Sequence, residues 1–273
     1  MCRQAMAAWY CVMKIHREGT NILILLFIVL LMLNGLCWLF LPPWIFPGLL
    51  SVVSIVFYGF VFNFFRCPRR TYKGERKDMV ISSVDGKVVA IERVYEPEFL
   101  RSDAIMVSVF MSPLNVHANW FPVNGKVEYV RHHAGRFLSA YLPKASVENE
   151  RSTIGITCEN GQRITVRQIA GAMARRIVTY AHRGDKARID HHLGFIKFGS
   201  RVDIYLPVDA QVLVNLKDTT RGDLTPIARL KPAGECLLPS KTIEITDDNE
   251  SPNRKRRRRR PKFVHRKVNS SQE

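Results

Sequence analysis

Gly194-Phe195-Ile196-Lys197-Phe198-Gly199-Ser200-Arg201-Val202-Asp203, running on into Ile204-Tyr205-Leu206-Pro207, is the stretch that decides the fold. Apolar residues fill both halves, and Gly199-Ser200 interrupts them. Gly supplies positive φ without steric cost and Ser can bond its own backbone, so the pair predicts a tight turn between two strands of a hairpin. Outward from it, residues 72–238 keep the same texture. Residues 79–84, 87–91, 105–110, 125–130, 154–158 and 164–167 are short, rich in β-branched side chains and separated by Gly, Pro and Asn. One helix is predicted over 169–181, where Ile169, Met173, Ile177 and Tyr180 recur at helical spacing as a core-packing stripe. The expected body is mostly β, a barrel or sandwich with one or two helices.

A different composition precedes the body. Residues 21–41 carry no charge, and twenty or so such residues in a helix span about 30 Å, the hydrocarbon thickness of a bilayer. Pro42-Pro43 breaks that helix. Residues 44–65 form a second uncharged run. A secretory signal would have a shorter apolar core followed by small residues, whereas Trp38, Phe40 and Trp44 stand here. Both outer flanks are basic (Lys14 and Arg17 before; Arg66, Arg69 and Arg70 after) and the connection is uncharged. Positive charge stays on the cytoplasmic side, so both ends and the body are expected at the cytoplasmic face of the cell membrane. The short connection leaves a re-entrant hairpin open as the alternative to a spanning one. The expected division is a cytoplasmic segment over 1–20, a helical hairpin over 21–65, a β-rich domain over 66–240 and a tail over 241–273.

Net charge is +17, and much of it is local: residues 253–273 hold ten Lys/Arg against one Glu. Such a segment cannot bury enough apolar surface to fold and is expected to be disordered. Beside a membrane segment it points to anionic lipid. With Phe263 as its one aromatic residue suited to stacking, nucleic acid is not expected. Cys2, Cys11, Cys37, Cys67, Cys158 and Cys236 are scattered, without a C-x-x-C pair, and read as free thiols.

Three further segments accompany the Gly199-Ser200 turn. They are Ser83-Val84-Asp85-Gly86-Lys87-Val88, Met111-Ser112-Pro113-Leu114-Asn115-Val116-His117, and the run from Pro143-Lys144-Ala145-Ser146 through Gln168-Ile169-Ala170-Gly171. Together and in this order, over about residues 80–207, they resemble the phosphatidylserine decarboxylases, in particular the short, membrane-anchored bacterial branch. The resemblance implies an enzyme that decarboxylates phosphatidylserine to phosphatidylethanolamine and CO₂. Its expected partners are the membrane, the phospholipid substrate and the two pieces of its own cleaved chain.

The chemistry explains why such residues are needed. Decarboxylating an α-amino acid leaves a carbanion that no ordinary side chain delocalises, and enzymes supply a carbonyl cofactor that captures the substrate amine. No Gly-rich phosphate loop suggests pyridoxal phosphate here. The resemblance implies a pyruvoyl group made from the chain itself. Ser200 Oγ attacks the Gly199 carbonyl to give an ester, and β-elimination then splits the chain. The dehydroalanine left behind tautomerises to an imine, and water hydrolyses it to release ammonia and leave pyruvoyl at the new N-terminus. Gly at 199 offers an unhindered carbonyl and permissive φ/ψ. The side chain at 200 must both attack and leave.

Asp85 and His117 are the implied activating pair, the carboxylate orienting an imidazole that serves Ser200 as base. Taken alone, Asp85 before Gly86 reads as an Asx turn and His117 as a core histidine. Longer bacterial members have a second histidine three residues on, usually the base; Trp120 stands there. The base role then falls to His117 or to a histidine from elsewhere in the chain, and His117 alternatively reprotonates the product carbon or contacts the phosphate. His132-His133 and His191-His192 suggest no metal, because neighbours in a strand point to opposite faces. Lys144, Arg151, Arg167, Arg175, Arg176 and Lys197 are phosphate candidates by charge alone. The rival reading is a non-catalytic, membrane-tethered β-domain that binds acidic lipid or a partner protein.

Overall fold

The computed structural model describes residues 14–40, 44–141, 145–172, 176–197 and 200–231. Gly199, the Pro42-Pro43 break, Lys144, Arg175 and the basic tail lie outside the described residues.

A two-residue strand, β1 (Lys14–Ile15), leads into helices α1 (Arg17–Phe40) and α2 (Ile45–Phe64), and β2 (Arg66–Cys67) pairs back on β1. The two helices, of 24 and 20 residues, are long and apolar enough to cross a membrane. Most of their large side chains are exposed, among them Leu25, Leu31, Leu39, Ile55 and Val56. Polar groups join the pair midway: Asn34 donates to Ser54 Oγ (2.9 Å), and Ser51 donates to Asn34 Oδ1 (2.9 Å). In hydrocarbon such groups must find partners on a neighbouring helix, which fixes how the pair aligns.

The body is mostly β. In chain order it holds β3 (Met79–Ile81), β4 (Gly86–Glu96), β5 (Ser102–Met111), β6 (Ala118–Trp120), β7 (Gly125–His133), α3 (Ala145–Glu148), β8 (Arg151–Cys158) and β9 (Arg163–Ala170). Then come β10 (Arg176–Thr179), β11 (Lys186–Ala187), β12 (His192–Lys197), β13 (Ser200–Pro207), β14 (Gln211–Val212), β15 (Thr219–Thr220) and β16 (Pro226–Arg229). A curled eight-stranded antiparallel sheet runs β11-β7-β8-β9-β13-β5-β4-β15. Register shifts at Val88/Ala90 and Val127/Tyr129 mark bulges that help bend it. Two three-stranded sheets, β10-β12-β6 and β14-β16-β3, close over its inner face. Val107, Val109, Ile154, Ile156, Val166, Val202 and Ile204, all at 0% exposure, form the main core with Leu193 and Ile196 of β12. A second core joins the hairpin to the body: Leu23, Val61, Phe64 and Phe65 meet Val116, Ala118, Trp120 and Phe195.

Two expectations are corrected. The described residues of 169–181 are not helical. Ile169 lies in β9 and Ile177 in β10, so the helical spacing is a coincidence of two strands, and β-branched Ile164, Val166, Ile177 and Val178 suit a pleated surface better. Nor are β12 and β13 a hairpin. β12 pairs with β10 and β6, while both edges of β13 are taken by β5 and β9. With no free edge to offer, β13 forces the chain to leave one sheet and enter another between Lys197 and Ser200. Cys37, Cys67 and Cys158 are free thiols, as expected; the other three cysteines lie outside the described residues.

Candidate active site

Ser200 opens β13 at the point where the chain changes sheets, with Met111 at the end of β5 on one side and Ala170 at the end of β9 on the other. It is fully buried, and its hydroxyl lies 3.1 Å from Met111 Sδ, a weak acceptor. Alternation along the strand sends Ser200, Val202, Ile204 and Leu206 toward the main core and Arg201, Asp203 and Tyr205 to the opposite face.

His117 is delivered by the turn after β5. Asn115 Oδ1 accepts from Ser112 N–H (2.9 Å) and Oγ–H (2.8 Å), and Asn115 N–H bonds back to the Ser112 carbonyl. That closed turn is the physical content of the Ser112–His117 motif. His117 Nδ1 lies 3.0 Å from the Asn115 carbonyl. A carbonyl only accepts, so Nδ1 carries the proton and Nε2 the lone pair. Nε2 is buried and without a hydrogen-bond partner among the described residues. Burial lowers the imidazole to about 4; the Asn115 hydrogen bond opposes the fall, Arg66 adds to it, and the negative charge of Asp85 opposes it again. At neutral pH the ring is an uncharged base with one free nitrogen. Phe64, at the end of α2, covers it at a ring separation of 4.3 Å.

Asp85 occupies the turn before β4 and is 7% exposed. Arg70 grips both of its oxygens, with Nη2 at 2.9 Å from Oδ2, and the Gly222 N–H donates to Oδ1 (2.8 Å). Arg70 also donates to the Gly222 carbonyl (2.9 Å). The structure therefore places Asp85 close enough to act on His117 by charge but joins it by hydrogen bonds to Arg70 and Gly222. Trp120 walls this pair. Its ring lies 5.2 Å from the Arg70 guanidinium and so close to Gly222 that a Cβ there would sit 2.7 Å from the indole. Gly222 is glycine because the indole leaves no room for a side chain.

A polar chain braces the floor. Gln168 donates to Asn119 Oδ1, Thr179 donates to Gln168 Oε1 (2.8 Å), and Asn119 donates to the His117 carbonyl (3.2 Å). Arg70, Gly222, Asn115 and Gln168 were not singled out from the sequence as site residues. Asn115 had a local signal in its spacing from Ser112, whereas Gly222 lies 137 residues from Asp85 and had none.

Other expectations find structural partners instead. His133 bonds Glu98 (2.7 Å) and His132 approaches Glu150 (3.5 Å), so that pair of imidazoles diverges. Arg167 joins Glu96 (3.2 Å) and Glu98 (3.0 Å), and Arg151 lies 3.8 Å from Glu98. Both arginines line a cavity of about 560 Å³ with Arg201, Tyr205 and Tyr141, on the face of the sheet away from Ser200. Lys197 pairs with Glu18 (3.2 Å).

Residues 57–226 match the family model of the phosphatidylserine decarboxylases. The chain is also 52% identical over 218 residues to the phosphatidylserine decarboxylase proenzyme of Bacteroides fragilis, covering 80% of this chain and 96% of that protein. The proenzymes of Parabacteroides distasonis and Porphyromonas gingivalis are each 50% identical, over 218 and 222 residues, covering 80% of this chain and 99% of theirs. This chain belongs to the phosphatidylserine decarboxylase family. Within that family frame, the matched residues take in Asp85, His117 and Ser200, as well as Arg70 and Gly222. Trp120, where longer members carry a second histidine, fills its place as a wall beside Arg70 and Gly222.

Proposed function

We propose that this chain is a membrane-anchored phosphatidylserine decarboxylase that makes its own pyruvoyl group by cleaving itself between Gly199 and Ser200. The observation that carries the reading is the placement of Ser200. It is buried at a two-residue crossing between sheets, where a backbone carbonyl and a hydroxyl can be held at close quarters. The residues present fit the group. Ser200 Oγ is tied only weakly, to a thioether, and His117, whose carbonyl accepts from Ile196 N–H (3.3 Å) four residues before Ser200, is a neutral imidazole with Nε2 unpartnered among the described residues. A pyruvoyl carbonyl at position 200 supplies the electron sink for losing CO₂ from a serine headgroup.

The chain's own residues have the following roles. Ser200 Oγ attacks the Gly199 carbonyl. His117 Nε2 accepts the proton that the attack releases, and the Asn115 carbonyl holds the ring in the tautomer that leaves Nε2 open. Asp85, held by Arg70 and Gly222, provides negative charge that stabilises the imidazolium as it forms. Burial beneath Phe64 keeps water away while the ester forms.

The anchor suits the substrate. Residues 21–65 hold the enzyme in the cell membrane, and the catalytic domain over 66–240 rests at the cytoplasmic face. The root of the hairpin packs against the segment that bears His117. A two-chained phospholipid stays in the bilayer, so its headgroup is met at that interface. The basic tail over 241–273 adds attraction to anionic headgroups.

Intact mass spectrometry of the purified protein, wild type beside Ser200→Ala, tests the reading. Two fragments split after Gly199, the smaller beginning with a pyruvoyl group, and an uncut Ala variant are expected. A single full-length wild-type chain from a folded preparation overturns the enzyme and leaves the tethered, non-catalytic lipid-binding domain.

A further inference from the structure

We infer that the root of the membrane hairpin is a positioning device for self-cleavage, acting through an ion pair between Glu18 in the first turn of α1 and Lys197, two residues before the scissile bond. The inference rests on the cleavage reading above and adds to it a requirement that the hairpin be seated.

The root is a closed unit. β1 and β2 pair Lys14 with Cys67 and Ile15 with Arg66, and His16 N–H donates to the Phe65 carbonyl (2.9 Å). The entry to α1 is thereby stitched to the exit of α2. Gly19 lets the two ends approach, since a Cβ there would lie 2.3 Å from the Phe65 ring.

This unit sits on one strand of the body, β12. The Phe195 ring stacks against His16 at 4.3 Å and against Phe65 at 5.8 Å. Glu18, the one acidic residue in the first turn of α1, then reaches Lys197 Nζ at 3.2 Å and accepts from the Tyr180 hydroxyl at 3.3 Å. Arg17 covers the same Tyr180 ring at 3.8 Å. The pair is shielded, with side-chain exposures of 17% for Lys197 and 26% for Glu18.

Lys197 is the last residue of β12 and Ser200 the first of β13. Three Cα–Cα steps join them and extend to roughly 10 Å at most. β13 is held on both edges and β12 lies between β10 and β6, so each end of the crossing is fixed by its own sheet. Where Lys197 is held decides how the Gly199 carbonyl meets Ser200 Oγ. Glu18 and Lys197 touch no reacting atom; they are positioning residues. Once the bond is cut, Lys197 no longer constrains residue 200, so the pair acts on cleavage and not on later turnover.

The test follows cleavage of full-length chain translated in a cell-free system with phospholipid vesicles, using gel bands over time. The variants are Glu18→Gln, Glu18→Lys, Lys197→Glu and the double exchange Glu18→Lys/Lys197→Glu. Misplacement of reacting groups by about 1 Å can cost on the order of 100-fold, and we expect Glu18→Lys to lengthen the cleavage half-time about tenfold. The double exchange is expected to restore most of the rate. Melting temperature, read in an uncut Ser200→Ala background, and decarboxylation per cleaved molecule are expected to stay at wild-type values. Cleavage of Glu18→Lys at the wild-type rate overturns the inference, as does a slow double exchange or a melting loss that tracks the cleavage loss. A wild-type chain that never cleaves overturns the parent reading instead.

Discussion

The two faces of the central strand β13 solve the problem of buried polar groups in opposite ways. On the outer face Arg201 donates to Asp203 (2.7 Å) and Ser146 donates to the same carboxylate (2.8 Å). Beside them Arg167 bonds Glu96, Glu98, Thr153 and Tyr205. Glu96 in turn accepts the N–H groups of Glu98, Phe99 and Leu100. Burial works to raise the Glu98 carboxyl, but the His133 hydrogen bond and the Arg167 charge outweigh it and leave it below the usual range. On the inner face Ser200 has a thioether for company, and His117 Nε2 has no partner among the described residues. A densely bonded network, in which Ser108 Oγ, Thr165 Oγ1 and Arg151 Nε are the exceptions among the described residues, holds a sheet in place, whereas an underpaired base and hydroxyl stay open to a reaction. One strand carries both, a residue apart.

The largest effect expected is on the bonded outer face. Arg167→Met removes the cation that faces the buried Glu96 and Glu98 carboxylates and should lower stability by about 3–5 kcal/mol in denaturant titrations. Self-cleavage should survive wherever the variant is folded; loss of cleavage in a folded sample would mean that the two faces are not independent. Next comes His117→Gln, which should slow cleavage about 100-fold, or about 2.7 kcal/mol of barrier, by removing the base.

His117→Gln should also relieve acid sensitivity. The native ring titrates near 4 and the unfolded ring near 6.5, so between those values the unfolded state binds the proton first. The His117 share of wild-type stability therefore falls as pH drops from 6.5 to 4, by about 3 kcal/mol, and His117→Gln should remove that share while the like share of buried His16 persists. An unchanged acid limb would show that the burial of His117 is not its cause.

The smallest effect concerns Asp223, the neighbour of Gly222. It is fully buried, with Oδ1 accepting the Asp190 N–H (2.9 Å) and Oδ2 unpartnered among the described residues. Burial raises its carboxyl to about 7; the Asp190 N–H bond opposes this and the Asp190 charge adds to it. A raised acid gives stability that is complete below about pH 4 and lost as pH rises through 7. Asp223→Asn should thus stabilise by about 1–2 kcal/mol at pH 8 and by nothing at pH 4. The same gain at both pH values would point to packing and not to charge.

Much of this could be read from the sequence because much of it is local. The β-branched runs became strands near their expected positions, the uncharged runs became α1 and α2, and Asp85, His117 and Ser200 stood in recognisable segments. What escaped was set by pairing across distance. Ile169 and Ile177 share a helical period by chance, and only the edges offered by β8, β13 and β12 make them strands. Gly199-Ser200 looks like a hairpin turn because a turn and a sheet crossing need the same permissive residues; the occupied edges of β13 separate the two. The grip of Arg70 and Gly222 on Asp85 joins three remote segments and left no mark in any one of them.

The position of β13 also bears on the two pieces that the proposed cleavage would leave. After a cut at residue 199, the fragment that starts at Ser200 keeps its backbone zipped to β5 and β9 of the other fragment, and Pro226–Arg229 still pairs with β3. The break falls at a strand's end and leaves the pairing from Arg201 onward in place. On the proposed cleavage the scission would be chemically complete yet mechanically silent, and the smaller fragment would stay attached to a hairpin it no longer covalently owns.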